Sequence, residues 1–235
     1  MGPALRLDPR RQRTFGARLR AWYRRNARDL PWRRTRDPYH VLVSELMLQQ
    51  TQVARVLEFY PQFLARFPTL ASLAAAPEGD VVAQWEGLGY YARARNLHKL
   101  SRWVTRDGGG ALPAEPRALR ELPGIGAYTA GAVASFAHGK RAALVDTNVA
   151  RVLARVFAPR LRPKLARDQK RLWAIAEATL PRTGPATWTH NQALMELGAL
   201  VCTARVMRCS ICPVRSVCAT YARGVARAER SNSRA

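Results

Sequence analysis

The chain has 235 residues, enough for one substantial core or two smaller lobes, and 48% of them are hydrophobic, which excludes a globally disordered chain. Lys and Arg number 39 against 16 Asp and Glu, a formal net charge of +23, which points to a polyanionic partner, with an Arg-rich solvated surface as the plain alternative. No apolar run approaches the length of a membrane span, and the opening MGPALRLDPRRQRTFGARLR lacks the apolar core of a secretory signal, so neither insertion nor export is expected.

In chain order, residues 1–16 are basic without a strong period and read as a frayed leader. Phe15, Leu19, Trp22 and Tyr23 recur at helical spacing and predict a first amphipathic helix to Ala27. Pro31 and Pro38 bracket a turn-rich stretch. Tyr39 to Phe67 carries a long helical pattern with a break expected near Pro61. Helices are expected to restart after Pro68-Thr69 and again within Ala76–Asp80. Gly87-Leu88-Gly89 interrupts a pattern that resumes from Tyr91 to Val104, and Gly108–Gly110 is a loop. Pro116 to Glu121, the turn Leu122–Gly126 and an Ala-rich helix from Ala127 to about His138 follow, then helical patterns at 147–158, 166–179 and 185–201. Alternating strand signals are almost absent. The fold class is all-α, about ten helices with short loops.

Two motifs carry specific chemistry. In Leu122-Pro123-Gly124-Ile125-Gly126, Gly124 and Gly126 let the backbone approach something bulky, and the helix that follows points its free N–H groups the same way, which suits a phosphate; an αα-turn with a glycine cap is the plainer reading. The only four cysteines, Cys202, Cys209, Cys212 and Cys218, are spaced C-x6-C-x2-C-x5-C. Such crowding suits a metal or cluster site in a reducing compartment better than a disulfide framework. Thiolate ligation admits tetrahedral zinc or an iron–sulfur cluster, and the uneven spacing does not resemble paired zinc knuckles.

The hairpin, then Val145-Asp146-Thr147-Asn148-Val149, then the cysteine loop, in that order, resembles endonuclease III and its relatives. Pro31-Trp32-Arg33, Asp37-Pro38-Tyr39, Ser44 to Gln52, Gly87 to Arg93, Asn191-Gln192-Ala193 and Leu197-Gly198-Ala199 narrow the resemblance to the adenine DNA glycosylase (MutY) family, over roughly residues 28–222. The resemblance implies a bilobal helix-hairpin-helix glycosylase fold. A six-helix barrel would span 34–144, a lobe carrying a 4Fe–4S cluster would combine 10–33 with 145–222, and 1–9 and 223–235 would be basic flexible tails. Mismatched double-stranded DNA would lie across a groove, with the target nucleotide flipped out. The protein is expected to act as an intracellular, cytoplasmic or nucleoid-associated monomer.

Releasing adenine needs a proton for the leaving base and negative charge near a sugar with oxocarbenium character. Glu45, in the apolar stretch Val43 to Leu48, is the candidate acid, since desolvation favours its protonated form; a surface helix position is the alternative. Asp146 is the candidate that stabilises or captures the cation, or else a helix N-cap. The resemblance implies further roles. Tyr128 stands where bifunctional relatives carry a Schiff-base lysine, so efficient lyase activity is not expected. Asn148 would hold Asp146. Gln49, Gln50 and Thr51 would lie near the lesion pair, with a glutamine wedged into the stack. Leu88 and Tyr90 would press on the opposite base, and Arg28, Trp32, Arg33 and Gln192 resemble adenine-pocket residues. His40, His98, His138 and His190 show no ligand spacing and are read as structural or solvent-facing. Thr147 departs from the glycine usual in the family. A second domain recognising 8-oxoguanine is also expected to be missing. The rival readings are a thymine or uracil glycosylase on guanine mismatches and a non-enzymatic, redox-sensing DNA-binding protein.

Overall fold

In the computed structural model, residues 7–224 are described. Their helices are α1 (Pro9–Asn26), α2 (Pro38–Met47), α3 (Val53–Arg66), α4 (Leu70–Ala75), α5 (Glu78–Gln84), α6 (Ala92–Arg106), α7 (Pro116–Leu119), α8 (Ala127–Phe136), α9 (Thr147–Phe157), α10 (Ala166–Thr179) and α11 (Gly184–Leu200). Short 3-10 turns form at Pro31–Arg33, Cys209–Ile211 and Arg215–Val217. Among the described residues there is no strand, only an isolated bridge between Cys202 and Met207. None of these helices is long and apolar enough to cross a membrane.

Two of the sequence expectations are corrected. The leader is helical from Pro9, because the Asp8 carboxylate accepts the Arg10 N–H and proline at the first position needs no partner for a donor it lacks. The rest of the expected tails, 1–6 and 225–235, lies outside the described residues. The break expected at Pro61 falls instead at residues 48–52, and Pro61 sits inside α3. The N–H that Pro61 lacks would have served the carbonyl of Leu57, whose residue is 39% exposed, so water can satisfy it.

The chain divides into two compact units, Arg28–Lys140 and Met1–Ala27 with Arg141–Ala235. In the first, α2 is the central rod and packs against α3, α6 and α8. It is buried from Val41 to Met47 because its sequence, PYHVLVSELM, is apolar on nearly every face. Asp37 caps it, accepting the N–H groups of Tyr39 and His40 at 2.8 and 3.1 Å. The run Ala130-Gly131-Ala132 on α8 keeps side chains short where that helix meets α2. Helices α4 and α5 close on α6, around the wholly buried Trp85, Leu97 and Leu100. Each such large apolar side chain contributes about 1.5–3 kcal/mol through burial.

In the second unit, α11 packs against α1 and α9, and α10 packs against α9 and α1. Phe15 of α1 meets Phe157 of α9 edge to face at 4.9 Å. His190 of α11 is wholly buried, 5.9 Å from Phe15, and neither ring nitrogen has a hydrogen-bond partner. Burial, then the Arg20 charge, pushes its pKa from 6.5 down to about 3. As the pH falls through that window the unfolded chain takes up a proton that the folded chain refuses, so stability is lost on the way down. His190→Leu is therefore expected to narrow the gap between melting temperatures measured at about pH 7 and about pH 5; an unchanged gap would show that other groups set the acid sensitivity.

Candidate functional site

Glu45, on the buried rod α2, is 3% exposed. The Tyr128 hydroxyl, from the first turn of α8, donates to its Oε2 at 2.8 Å. The surface-helix reading of Glu45 is excluded. Glutamine and threonine continue the line: Gln49 Nε2 donates to Thr129 Oγ1 at 3.3 Å.

The hairpin lies in the same unit. Leu122 and Ile125 are buried and anchor the turn, while Gly126, exposed, precedes α8 without a side-chain cap, leaving the helix's first N–H groups open to an anion. Gly124 has φ +76°, and a Cβ there would stand 2.7 Å from Asn96 Cβ, so a larger residue would both strain the turn and displace it from α6.

Residues 48–52 and 85–91, which join α2 to α3 and α5 to α6, flank a recess of about 460 Å³ lined by Gln49, Gln50, Tyr90, Tyr91, Ala92, Arg93 and Arg95. Gln50 (φ 58°) and Tyr90 (φ 49°) both adopt left-handed backbone. Tyr90 is 60% exposed, whereas Leu88, its expected companion, is packed inside at 5% exposure. Thr51 turns its hydroxyl toward the Leu88 carbonyl at 3.4 Å. Of the expected pocket residues in this unit, Trp32 is buried edge to face against Tyr60, and Arg33 Nη1 donates to the Arg28 carbonyl at 2.9 Å.

In the other unit, Asp146 caps α9, accepting the Val149 N–H at 2.6 Å and Asn148 Nδ2 at 3.2 Å. Burial raises its pKa, and the Val149 N–H, the Asn148 amide and the charge of Arg151 pull it back. The side chain beyond them is one the sequence reading missed. Arg151 donates to Asn148 Oδ1 (2.7 Å), to the Gly198 carbonyl (2.9 Å) and to the Cys202 carbonyl (3.0 Å). Asn148 and α11 come this close because residue 198 is glycine: a Cβ there would stand 2.8 Å from Asn148 Cβ. Thr147 is exposed, and Gln192 is buried on α11.

Cys202, Cys209, Cys212 and Cys218 all line one cavity of about 480 Å³. Arg155 Nη1 donates to Cys202 Sγ at 3.3 Å. Burial, and then the other cysteines, push the Cys212 thiol up to about 11. Among the described residues, no three His, Cys, Asp or Glu side chains converge closely enough to hold a single metal ion.

Residues 43–177 match the HhH-GPD superfamily of base excision DNA repair proteins, and the chain belongs to that superfamily. It is 45% identical to the adenine DNA glycosylase of Homo sapiens over 87% of its own length and 39% of that protein's. It is also 46% identical to that of Mycobacterium tuberculosis, over 83% of this chain and 64% of the relative. The chain thus spans well under two thirds of the human relative. Among solved structures, a thermostable thymine-DNA glycosylase superposes with a TM-score of 0.83 at 32% identity, covering 91% of this chain and 98% of that one. A non-covalent endonuclease III–DNA complex shares the fold, with a TM-score of 0.77 at 23% identity over 94% of this chain and 99% of that one.

Proposed function

We propose that this chain is a monofunctional DNA glycosylase that removes adenine mispaired with guanine or 8-oxoguanine in double-stranded DNA. The observation that carries the reading is Glu45, a carboxyl buried in an apolar helix and held by the Tyr128 hydroxyl at 2.8 Å. Glu45 donates a proton to the flipped adenine as the bond from its nitrogen to the sugar C1′ breaks, so the base leaves neutral with the bonding electron pair. Asp146, fixed by the Val149 N–H and Asn148, is assigned by the resemblance to stabilise the resulting cation with its negative charge or to capture it before water adds at C1′. Tyr128 cannot form the Schiff base on which β-elimination depends. The hairpin and the first turn of α8 hold a phosphate; Arg28, Trp32 and Arg33 are assigned to the adenine by the family resemblance, and so, on that resemblance alone, is Gln192.

The four cysteines fit a 4Fe–4S cluster by the chemistry of the donor set: four thiols line one cavity that has no His, Asp or Glu in its wall. When bound, such a cluster would brace the loop from 202 to 218.

A second reading, thymine release from guanine mismatches, is favoured by the likeness to the thymine-DNA glycosylase structure, which this chain matches over almost that protein's full length. Single-turnover cleavage of duplexes carrying 8-oxoguanine:adenine, guanine:adenine, guanine:thymine and uracil:guanine separates the two. Adenine release is expected, with strand breaks appearing only after alkali and no borohydride-trapped complex. Thymine or uracil release would transfer the chain to the second reading, and efficient trapping would refute the monofunctional assignment.

A further inference from the structure

Arg93 opens the α6 side of the recess and is 8% exposed. Its guanidinium is the shared centre of both loops. Nη1 donates to the carbonyls of Leu46 (2.7 Å), Met47 (2.8 Å) and Gln49 (2.6 Å), the end of α2 and the start of its loop. Nη2 donates to Thr51 Oγ1 (3.2 Å) and to the carbonyls of Leu88 (3.0 Å) and Gly89 (2.8 Å), and Nε reaches the Tyr90 carbonyl at 3.4 Å. The group also lies over the rings of Trp85 and Tyr90, at 5.4 and 5.6 Å.

These acceptors have a common meaning. The carbonyls of Leu46 and Met47 lose their regular helical partners where α2 ends, Leu46 keeping only a long bond from the Gln49 N–H at 3.4 Å, so Arg93 satisfies the end of α2 and ties that end to the second loop. Among the described residues, the two non-glycine positions with left-handed backbone, Gln50 and Tyr90, lie one on each of the loops so joined. Such conformations persist where surrounding structure over-determines them, and they gather at functional sites. The outer face of the second loop is cradled as well: a Cβ on Gly87 would strike Arg55 Nη2 at 2.7 Å and Phe59 Cζ at 2.9 Å.

Resting on the proposed function, we propose that Arg93 is a positioning residue that fixes Gln50 and Tyr90 as a rigid pair of probes against the DNA stack, and so sets the discrimination between mismatched and properly paired adenine. A planar guanidinium can serve two loops at once; an ammonium in its place keeps the charge but offers three donors from one point and cannot span both sets of carbonyls.

The test is Arg93→Lys in the full chain. Binding is measured on duplexes with adenine opposite 8-oxoguanine and opposite thymine, alongside the single-turnover rate at saturating protein and amide exchange over residues 48–52 and 88–91. The expected result is faster exchange in both segments, and a preference for the mismatch reduced about tenfold, a larger loss than that in the saturating rate, as befits misplacement of remote contacts. Unchanged preference, or exchange accelerated in neither segment, would overturn the proposal. Should Arg93→Lys fail to fold, Gln50→Gly and Tyr90→Gly, each compatible with left-handed backbone, are compared singly and together. A rigid pair gives a double variant little worse than either single one, whereas additive losses overturn it. The same binding series includes guanine:thymine: a parent protein that prefers that duplex refutes the adenine reading, and Arg93 is then judged on the duplex it does prefer.

Discussion

Glu45→Gln is expected to lose base release almost entirely while mismatch binding stays within a few-fold of the parent protein. The amide is isosteric with the carboxyl, and its oxygen can still accept from the Tyr128 hydroxyl that now stands 2.8 Å from Oε2. Packing at this site, 3% exposed on the central helix, is therefore kept. What disappears is the proton. A positioned general acid supplies roughly 10²–10⁴ of rate, about 3–5 kcal/mol of barrier, and an adenine that must depart as an anion has no ready substitute. Single-turnover excision with protein in excess, set against fluorescence anisotropy on the same duplex, separates chemistry from binding. Excision within tenfold of the parent would remove Glu45 from the chemistry. Binding and melting temperature falling together would mark it as a packing residue instead.

Much of the helical order is legible locally. Asp37-Pro38 announces α2 through a cap and a first-turn proline, and Thr69 announces α4, where its hydroxyl and that of Ser72 form a reciprocal capping box. The apolar neighbours of Glu45 make its burial one of two readings in sequence, and the 3% exposure on α2 decides between them. The errors arise where distant residues decide. Pro61 looks like a helix breaker, yet Leu57, whose carbonyl it deprives, is an exposed residue that water can reach. The true break at 48–52 has no breaker residue. It is held open by Gln50 in left-handed backbone and by Arg93, more than forty positions away, which satisfies the carbonyls that the helix end exposes. In the same way the early start of α1 escapes an apolar period, because Arg10, Arg11 and Arg13 supply no apolar beat, although Asp8-Pro9 is a sound local signal. Arg151 reads in sequence as one more cation of a basic chain. Its contacts with Asn148, Gly198 and Cys202 depend on the packing of α9 against α11 and on the absence of a side chain at Gly198. Spacing reveals which faces are apolar, but not which buried cation closes a network.

Asp146→Asn is expected to lower excision on the order of 10³-fold, about 4 kcal/mol, with no loss of thermal stability. Two roles converge on this side chain, and the substitution separates them. As an N-cap, asparagine serves as well as aspartate, so the bond to the Val149 N–H and the start of α9 survive. As a counter-charge to a developing sugar cation, asparagine is empty. The pKa of Asp146 is raised, by burial first, against the opposing pull of the Val149 N–H, Asn148 and Arg151. A carboxyl whose folded pKa lies above its unfolded value of 3.8 is costly to ionise in the folded state, so stability is greatest at low pH and declines as the pH rises through the raised value. The ionised form, the one the proposed chemistry requires, is thus the less stable one, and the neutral asparagine is expected to match or exceed the parent's melting temperature at neutral pH. The acid limb of the parent's excision rate should fall at a pH above that of an ordinary carboxylate and vanish with the variant's activity. Full excision by Asp146→Asn would reduce the residue to a helix cap. A marked fall in melting temperature would show that the charge itself holds α9 in place.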